Sequence, residues 1–340
     1  MNRYGMFILP VIISGLILFS SGGCRKNPYH VDISSVDLEI RIKRFEMDLF
    51  TLDWDSIQEK IPWFYEKYGD FFDLYNYRII NIGGAGDRTY PEYLKLFLTD
   101  YLNNEVYHKT MEVFPDLTGL EKELTSAFRH YRYYFPSMEI PEIITYVSRF
   151  NQSIVTAEGM IGIGLDKYLG RETDYYKQLG LNQYTILNMH REKIPSDCIM
   201  AWGLSEFEYN DSVDNLLSNM LYHGQIMFFV KSMLPDQHDS LIMGFTSPQM
   251  RFCMMNEDRM WEYLIEQKLL FETDRMTISK FTGYGPFTKD FSHESPARAA
   301  VWIGWKIVEA YARNNPEKSL YDIMNITNYQ QLLASSKYDP

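Results

Sequence analysis

The sequence predicts a helix-rich α+β fold, one domain with a small antiparallel sheet, and three observations carry that prediction. Residues Val36, Leu38, Ile40 and Ile42 alternate with Asp37, Glu39, Arg41 and Lys43, a period of two that marks a strand with one buried face. Two β-rich runs, 142–150 and 153–165, flank Asn151-Gln152 and read as a hairpin. Apolar residues at helical spacing dominate the second half, and no Pro-rich linker, repeat or low-complexity block divides the chain.

Taken in order, the strand near residue 40 is followed by helical spacing over 54–68 and again over 91–106. Between them Asn81-Ile-Gly-Gly-Ala-Gly-Asp87 reads as a turn, because neither G-x-G-x-x-G nor G-x-x-x-x-G-K-[ST] is present to cradle a phosphate. A helix over 120–134 stops at Phe135-Pro136, and the hairpin follows and ends at Asp166-Lys-Tyr-Leu-Gly170. At the end of that strand, Asp166 reads as a residue that satisfies turn amides. Long helical patterns cover 216–234, 248–271 and 296–313; Ser247-Pro248 and Ser295-Pro296 each look like a cap followed by proline in the first turn. In the last pattern Trp302 and Trp305 share a face, and Gly304 permits another element to approach closely.

The chain has 340 residues, 46% hydrophobic and 23% charged, enough for a large core and far from a disordered composition. A net charge of −12 argues against a partner whose binding depends on neutralising phosphates, so nucleic acid is disfavoured. The N-terminus reads as an export signal over residues 1–23: Arg3, the apolar run Met6 to Phe19, then Ser20, Ser21, Gly22 and Gly23 ahead of Cys24. A cysteine directly after two glycines has the context in which bacterial lipoproteins are cut and acylated, palmitate included, although Ser21 stands where an aliphatic residue is usual. Residues 24–30 then form the lipidated cysteine and its tether, and 31–340 the domain. The remaining cysteines, Cys198 and Cys253, belong to no metal-ligand cluster and are either a pair or two buried thiols.

No H-E-x-x-H, no Gly-x-Ser-x-Gly elbow and no local Cys–His pair occurs, so neither a catalytic residue nor a metal or cofactor is expected. A metal-dependent peptidase or hydrolase could draw its ligands from non-contiguous residues such as His190, His223 and His238. A glycan or peptide module with Tyr168, Trp302 and Trp305 on an exposed wall is a further reading. By itself His223 reads as a hydrogen-bonded structural histidine, and Arg298 as the partner of a buried acid.

The ordered motifs Phe128-x-His130-Tyr131-x-Tyr133-Tyr134-Phe135-Pro136, Tyr146-x-Ser148-x-Phe150-Asn151 and Gly162-Ile-Gly-Leu-Asp-Lys-Tyr-Leu-Gly170 resemble the gliding motility lipoproteins of the GldB type. The resemblance continues through Leu216-Leu217-x-x-Met220-Leu221-Tyr222-x-Gly224, Asn256-Glu257-x-x-x-Trp261 and Ser295-Pro296-x-Arg298-x-x-x-Trp302-Ile303-Gly304-Trp305. It implies an envelope lipoprotein held to the membrane through Cys24, facing the periplasm, with motility and secretion proteins as partners, and it implies no known reaction. A fainter similarity is to zincin-type peptidases: Ser196-Asp197-Cys198-Ile199-Met200 stands where H-E-x-x-H would, and His223-Gly224 where a later E-G would. That similarity implies a degenerate zincin-like scaffold, in which Asp197, His223 and Arg298 mark a vestigial site or cleft.

Overall fold

The computed structural model describes residues 29–340; the signal segment, Cys24 and the first part of the tether lie outside them. Four strands make one mixed sheet in the order β1-β2-β4-β3: β1 (Ile42–Arg44), β2 (Glu142–Tyr146), β3 (Ile154–Ala157) and β4 (Met160–Gly164). β1 and β4 run parallel to β2, with Ile143 opposite Ile42 and Ile161, and only β3 is antiparallel to its neighbour. The expected all-antiparallel sheet is therefore corrected. Its hairpin turns at Glu158-Gly159, where Gly159 takes φ +65° at no steric cost, and not at Asn151-Gln152. The segment after β2 crosses the sheet end instead, so that β4 lies between β2 and β3.

The period-two stretch before β1 keeps its alternation: Leu38, Ile40 and Ile42 turn inward while Asp37, Glu39 and Arg41 are exposed. Only Ile42–Arg44 pairs in the sheet; the amides of Ile40 and Ile42 are taken by Thr125 Oγ1 and Glu121 Oε1, both at 3.0 Å. Alternation reports a buried face, and here side chains of the neighbouring helix replace the strand partner.

Alternate residues of β2 divide the core in two. Ile143 faces a large core built with the helices Thr118–Tyr134, Ile194–Glu206, Leu216–Met233 and Ala299–Asn314. Ile144 and Tyr146 face a second core filled by aromatic rings, among them Phe45, Phe64, Tyr68, Phe71, Phe72, Tyr75 and Tyr90. Phe45 meets Tyr68 edge-on at 4.9 Å and 89°, the geometry favoured by ring quadrupoles.

The central helix, Leu216–Met233, starts at Asn215, whose side chain accepts from the Ser218 amide while Ser218 Oγ accepts from the Asn215 amide. It is apolar all round, and of its residues only Asn219, His223 and Lys231 escape full burial. The tryptophan helix, Ala299–Asn314, crosses it backbone to backbone. A Cβ on Gly224 would stand 2.3 Å from the Gly304 carbonyl carbon, and one on Gly304 would stand 1.9 Å from the Met220 carbonyl oxygen. Glycine in a helix interior costs roughly 0.5–1 kcal/mol, which the close crossing offsets through contact area.

Three helical runs differ in their ends. Asp100 has extended ψ and accepts from the Asn103 amide, so the run over 91–106 is two helices, Tyr90–Thr99 and Tyr101–Val113. Asn256 likewise divides Ser247–Met255 from Glu257–Glu266, and the cap of the former is Thr246 with Gln249, one residue before the Ser247 expected. Ser295-Pro296 caps nothing, because Ser295 Oγ is engaged by the Thr288 amide and carbonyl, and the helix begins three residues later at Ala299. Cys198 and Cys253 are buried free thiols. No helix among the described residues is long and apolar enough to cross a membrane.

Candidate functional site

The cleft that holds the three candidate residues is made by four elements. The helix Ile194–Glu206 turns Asp197, Met200, Ala201 and Leu204 to one side at helical spacing, and the central helix contributes Asn219, His223, Ile226 and Met227. Helix Arg275–Thr282 with Gly283 and Tyr284 closes one wall, and Arg298 projects from the start of the tryptophan helix. Two chambers result, of about 420 and 480 Å³, and they share Met200, Leu204, Tyr284 and Arg298. His223 lies in the first, Asp197 in the second, and Arg298 at their junction. The structure thus brings together the three residues singled out in the sequence.

Arg298 is 6% exposed and its side chain carries no ion pair or hydrogen bond among the described residues; its guanidinium stacks over the Tyr284 ring at 4.6 Å. The expected pairing with a buried acid is corrected. Its backbone adds a second tension, since φ +60° places a long side chain in the left-handed region that favours glycine. Next to it, burial and then the Arg298 charge push the His223 imidazole down to about 4, so it is neutral at pH 7. Among the described residues no group hydrogen-bonds that ring, contrary to the structural role expected for it.

Asp197 is already engaged, accepting from Tyr168 Oη at 2.9 Å and from Lys193 Nζ. Lys193, itself buried, also donates to Ser196 Oγ at 3.1 Å. Ser196, Cys198 and Ile199 point into the core while Asp197 and Met200 face the cleft. Asn219 is a cleft residue that sequence reasoning missed; its signal was a polar residue four before His223 on an otherwise apolar helix. It donates to Asp214 Oδ1 at 2.8 Å, which also accepts from Tyr209 Oη at 3.1 Å.

The other histidines do not converge on this place. His190 binds Glu192 at 2.8 Å on another surface, and His238 accepts from the Ser240 amide at the start of helix Asp239–Met243, beside a separate cavity. Among the described residues no three His, Cys, Asp or Glu side chains are grouped to hold a metal ion. Trp302 and Trp305 are 1% and 0% exposed and Tyr168 2%, so the exposed aromatic wall of a glycan or peptide module is not formed by them. Outside the cleft, buried Asp166 does what its position predicted: Oδ2 accepts from the amides of Ser148 at 3.2 Å and Phe150 at 2.5 Å.

Fold and cleft define a helix-rich α+β protein with an open, largely apolar cleft onto which the unneutralised Arg298 guanidinium faces. The chain belongs to the family described as gliding motility protein GldB, which it matches over residues 26–340. No curated protein and no solved structure matches it.

Proposed function

We propose that this chain is a lipid-anchored, periplasm-facing component of the motility apparatus of the cell envelope and of the secretion machinery linked with it, working through protein contacts and not through catalysis. Family membership supports the apparatus, and the N-terminal signal ending at Cys24 supports the anchor. The first described residue is itself docked: Tyr29 Oη donates to Glu309 Oε1 at 2.6 Å and its ring packs edge-on against Phe228. Cys24 stands only five residues before Tyr29 in the sequence, so acyl chains on it would hold this face toward the membrane.

The observation that carries the non-catalytic reading is the placement of the Arg298 charge beside His223 in one chamber. A hydrolytic zinc needs three protein ligands, an open position and a base. In the zincin-like register, Ser196 is turned into the core, Met200 offers only a thioether, and a fixed guanidinium stands beside the one imidazole. A divalent cation there would meet like charge in a partly desolvated cleft. The scaffold is thus read as that of a degenerate zincin.

Zinc titration of the mature chain, followed by dialysis and elemental analysis, is expected to leave far less than one equivalent per chain. One equivalent retained by the wild type and lost in His223→Gln would overturn the non-catalytic reading.

A further inference from the structure

Arg298 is 6% exposed and its guanidinium, which no acid neutralises, faces two open chambers, so the main part of an anion site is already built there. Several features narrow the anion. Asp214, the acid of the first chamber, is held by Tyr209 and Asn219, and Asp197, that of the second, by Tyr168 and Lys193; neither reaches Arg298. Neutral His223 adds a donor without adding charge. The apolar part of the first chamber's wall is Met200, Leu204, Ile226, Met227 and Ile278, with Ser279, Thr282 and the exposed Arg275 beside it. Among the described residues Arg298 is the one buried cation in the lining of the first chamber, Arg275 being exposed, and a single buried charge beside this apolar surface matches one negative charge on an apolar body better than a phosphate dianion. Arg298 also opens the tryptophan helix, whose dipole adds positive potential at that end.

We propose that this cleft binds a monocarboxylate carrying an apolar group, the carboxylate received by Arg298 with His223 beside it and the apolar part resting against Met200, Leu204 and Ile226. The same chemistry is offered by a free aliphatic acid and by the C-terminal carboxylate of a peptide ending in an apolar residue. The left-handed backbone at Arg298 fits this reading, since glycine would relieve the strain there and the side chain is what glycine lacks. This inference does not depend on the motility assignment.

Calorimetric titration of the mature chain bearing Cys24→Ser, with octanoate, with acetyl-Ala-Leu and with the amide of each, tests it. Saturable binding of at least one free carboxylate is expected, with a loss of about tenfold or more for its amide and for Arg298→Met. Octanoate alone binding assigns the free acid as source, and acetyl-Ala-Leu alone assigns the peptide end. Arg298→Met is also expected to raise the Tm of the unliganded protein, because it removes the uncompensated charge and keeps the stem. Leu204→Trp, at a half-exposed wall common to both chambers, is expected to weaken binding without touching the charge. No saturable binding up to about 10 mM, equal binding by acid and amide, or a Tm lowered by Arg298→Met would each overturn the proposal.

Discussion

Gly304→Val is expected to leave little folded protein, a loss of about 4 kcal/mol or more, with Gly304→Ala costing about 3 kcal/mol. The cause is local and has no soft partner. The new Cβ would meet the Met220 carbonyl oxygen at 1.9 Å, a backbone atom in the interior of the central helix, so relief requires the two helices to separate. Separation would expose the flanks of a crossing that includes Leu221, Val301 and Trp305, all buried. Gly86→Ala is the matched control: open space surrounds that position, and the change is expected to stay within about 0.5 kcal/mol. Chemical denaturation of the three proteins measures both.

Asp166→Ala is expected to cost about 3 kcal/mol, through a different mechanism. Its carboxylate holds the amides of Ser148 and Phe150 at a bend where Arg149 and Phe150 have φ of 59° and 66°, so the variant leaves donors unmet where the chain is already strained. The same group sets a pH dependence. Burial pushes the Asp166 carboxyl up to about 6, against an ordinary 3.8, despite the amides it accepts from. The folded state therefore holds a proton that the unfolded state has released, and Asp166 adds stability as pH falls from about 6 to 4. His223 has the opposite sign: lowered to about 4 from 6.5, it remains neutral in the folded state while the unfolded chain takes up a proton, and stability is lost over that range. In the wild type the two largely offset. Asp166→Asn leaves His223 unopposed, and relative to the wild type it is expected to lose about 3 kcal/mol between pH 7 and pH 4. Parallel stability curves for the two proteins would contradict this.

Sequence reasoning reached the helices whose apolar pattern is long and unbroken, and the turn at Asn81 to Asp87, where the Asp87 carboxylate accepts the Gly84 amide at 2.9 Å. It also reached the close approach at Gly304, because a glycine between two tryptophans has few other uses in a helix. Strand direction escaped it. Alternation in 142–150 and 153–165 is the same for parallel and antiparallel pairing, and what decides is the long-range placement of β4 between β2 and β3. Glu158-Gly159 was the local signal for the true hairpin. Helix ends failed where a cap side chain was spent elsewhere, as Ser295 is on Thr288. In the cleft, Arg298 lines both chambers, His223 the first and Asp197 the second, while the lack of an acid beside Arg298 is a fact of packing that no local pattern records.

The anchor is the part of the account that decides where every other contact is made. Fractionation of cells producing Cys24→Ser in place of the wild type tests it most directly. More than one acyl chain, at roughly 0.8 kcal/mol for each buried CH₂, is what attaches such a protein stably, and no described helix can take over that task. The account predicts that the wild-type protein sediments with membranes and that the Cys24→Ser protein appears in the soluble fraction; a Cys24→Ser protein that still sediments with membranes and is not extracted by salt would contradict it.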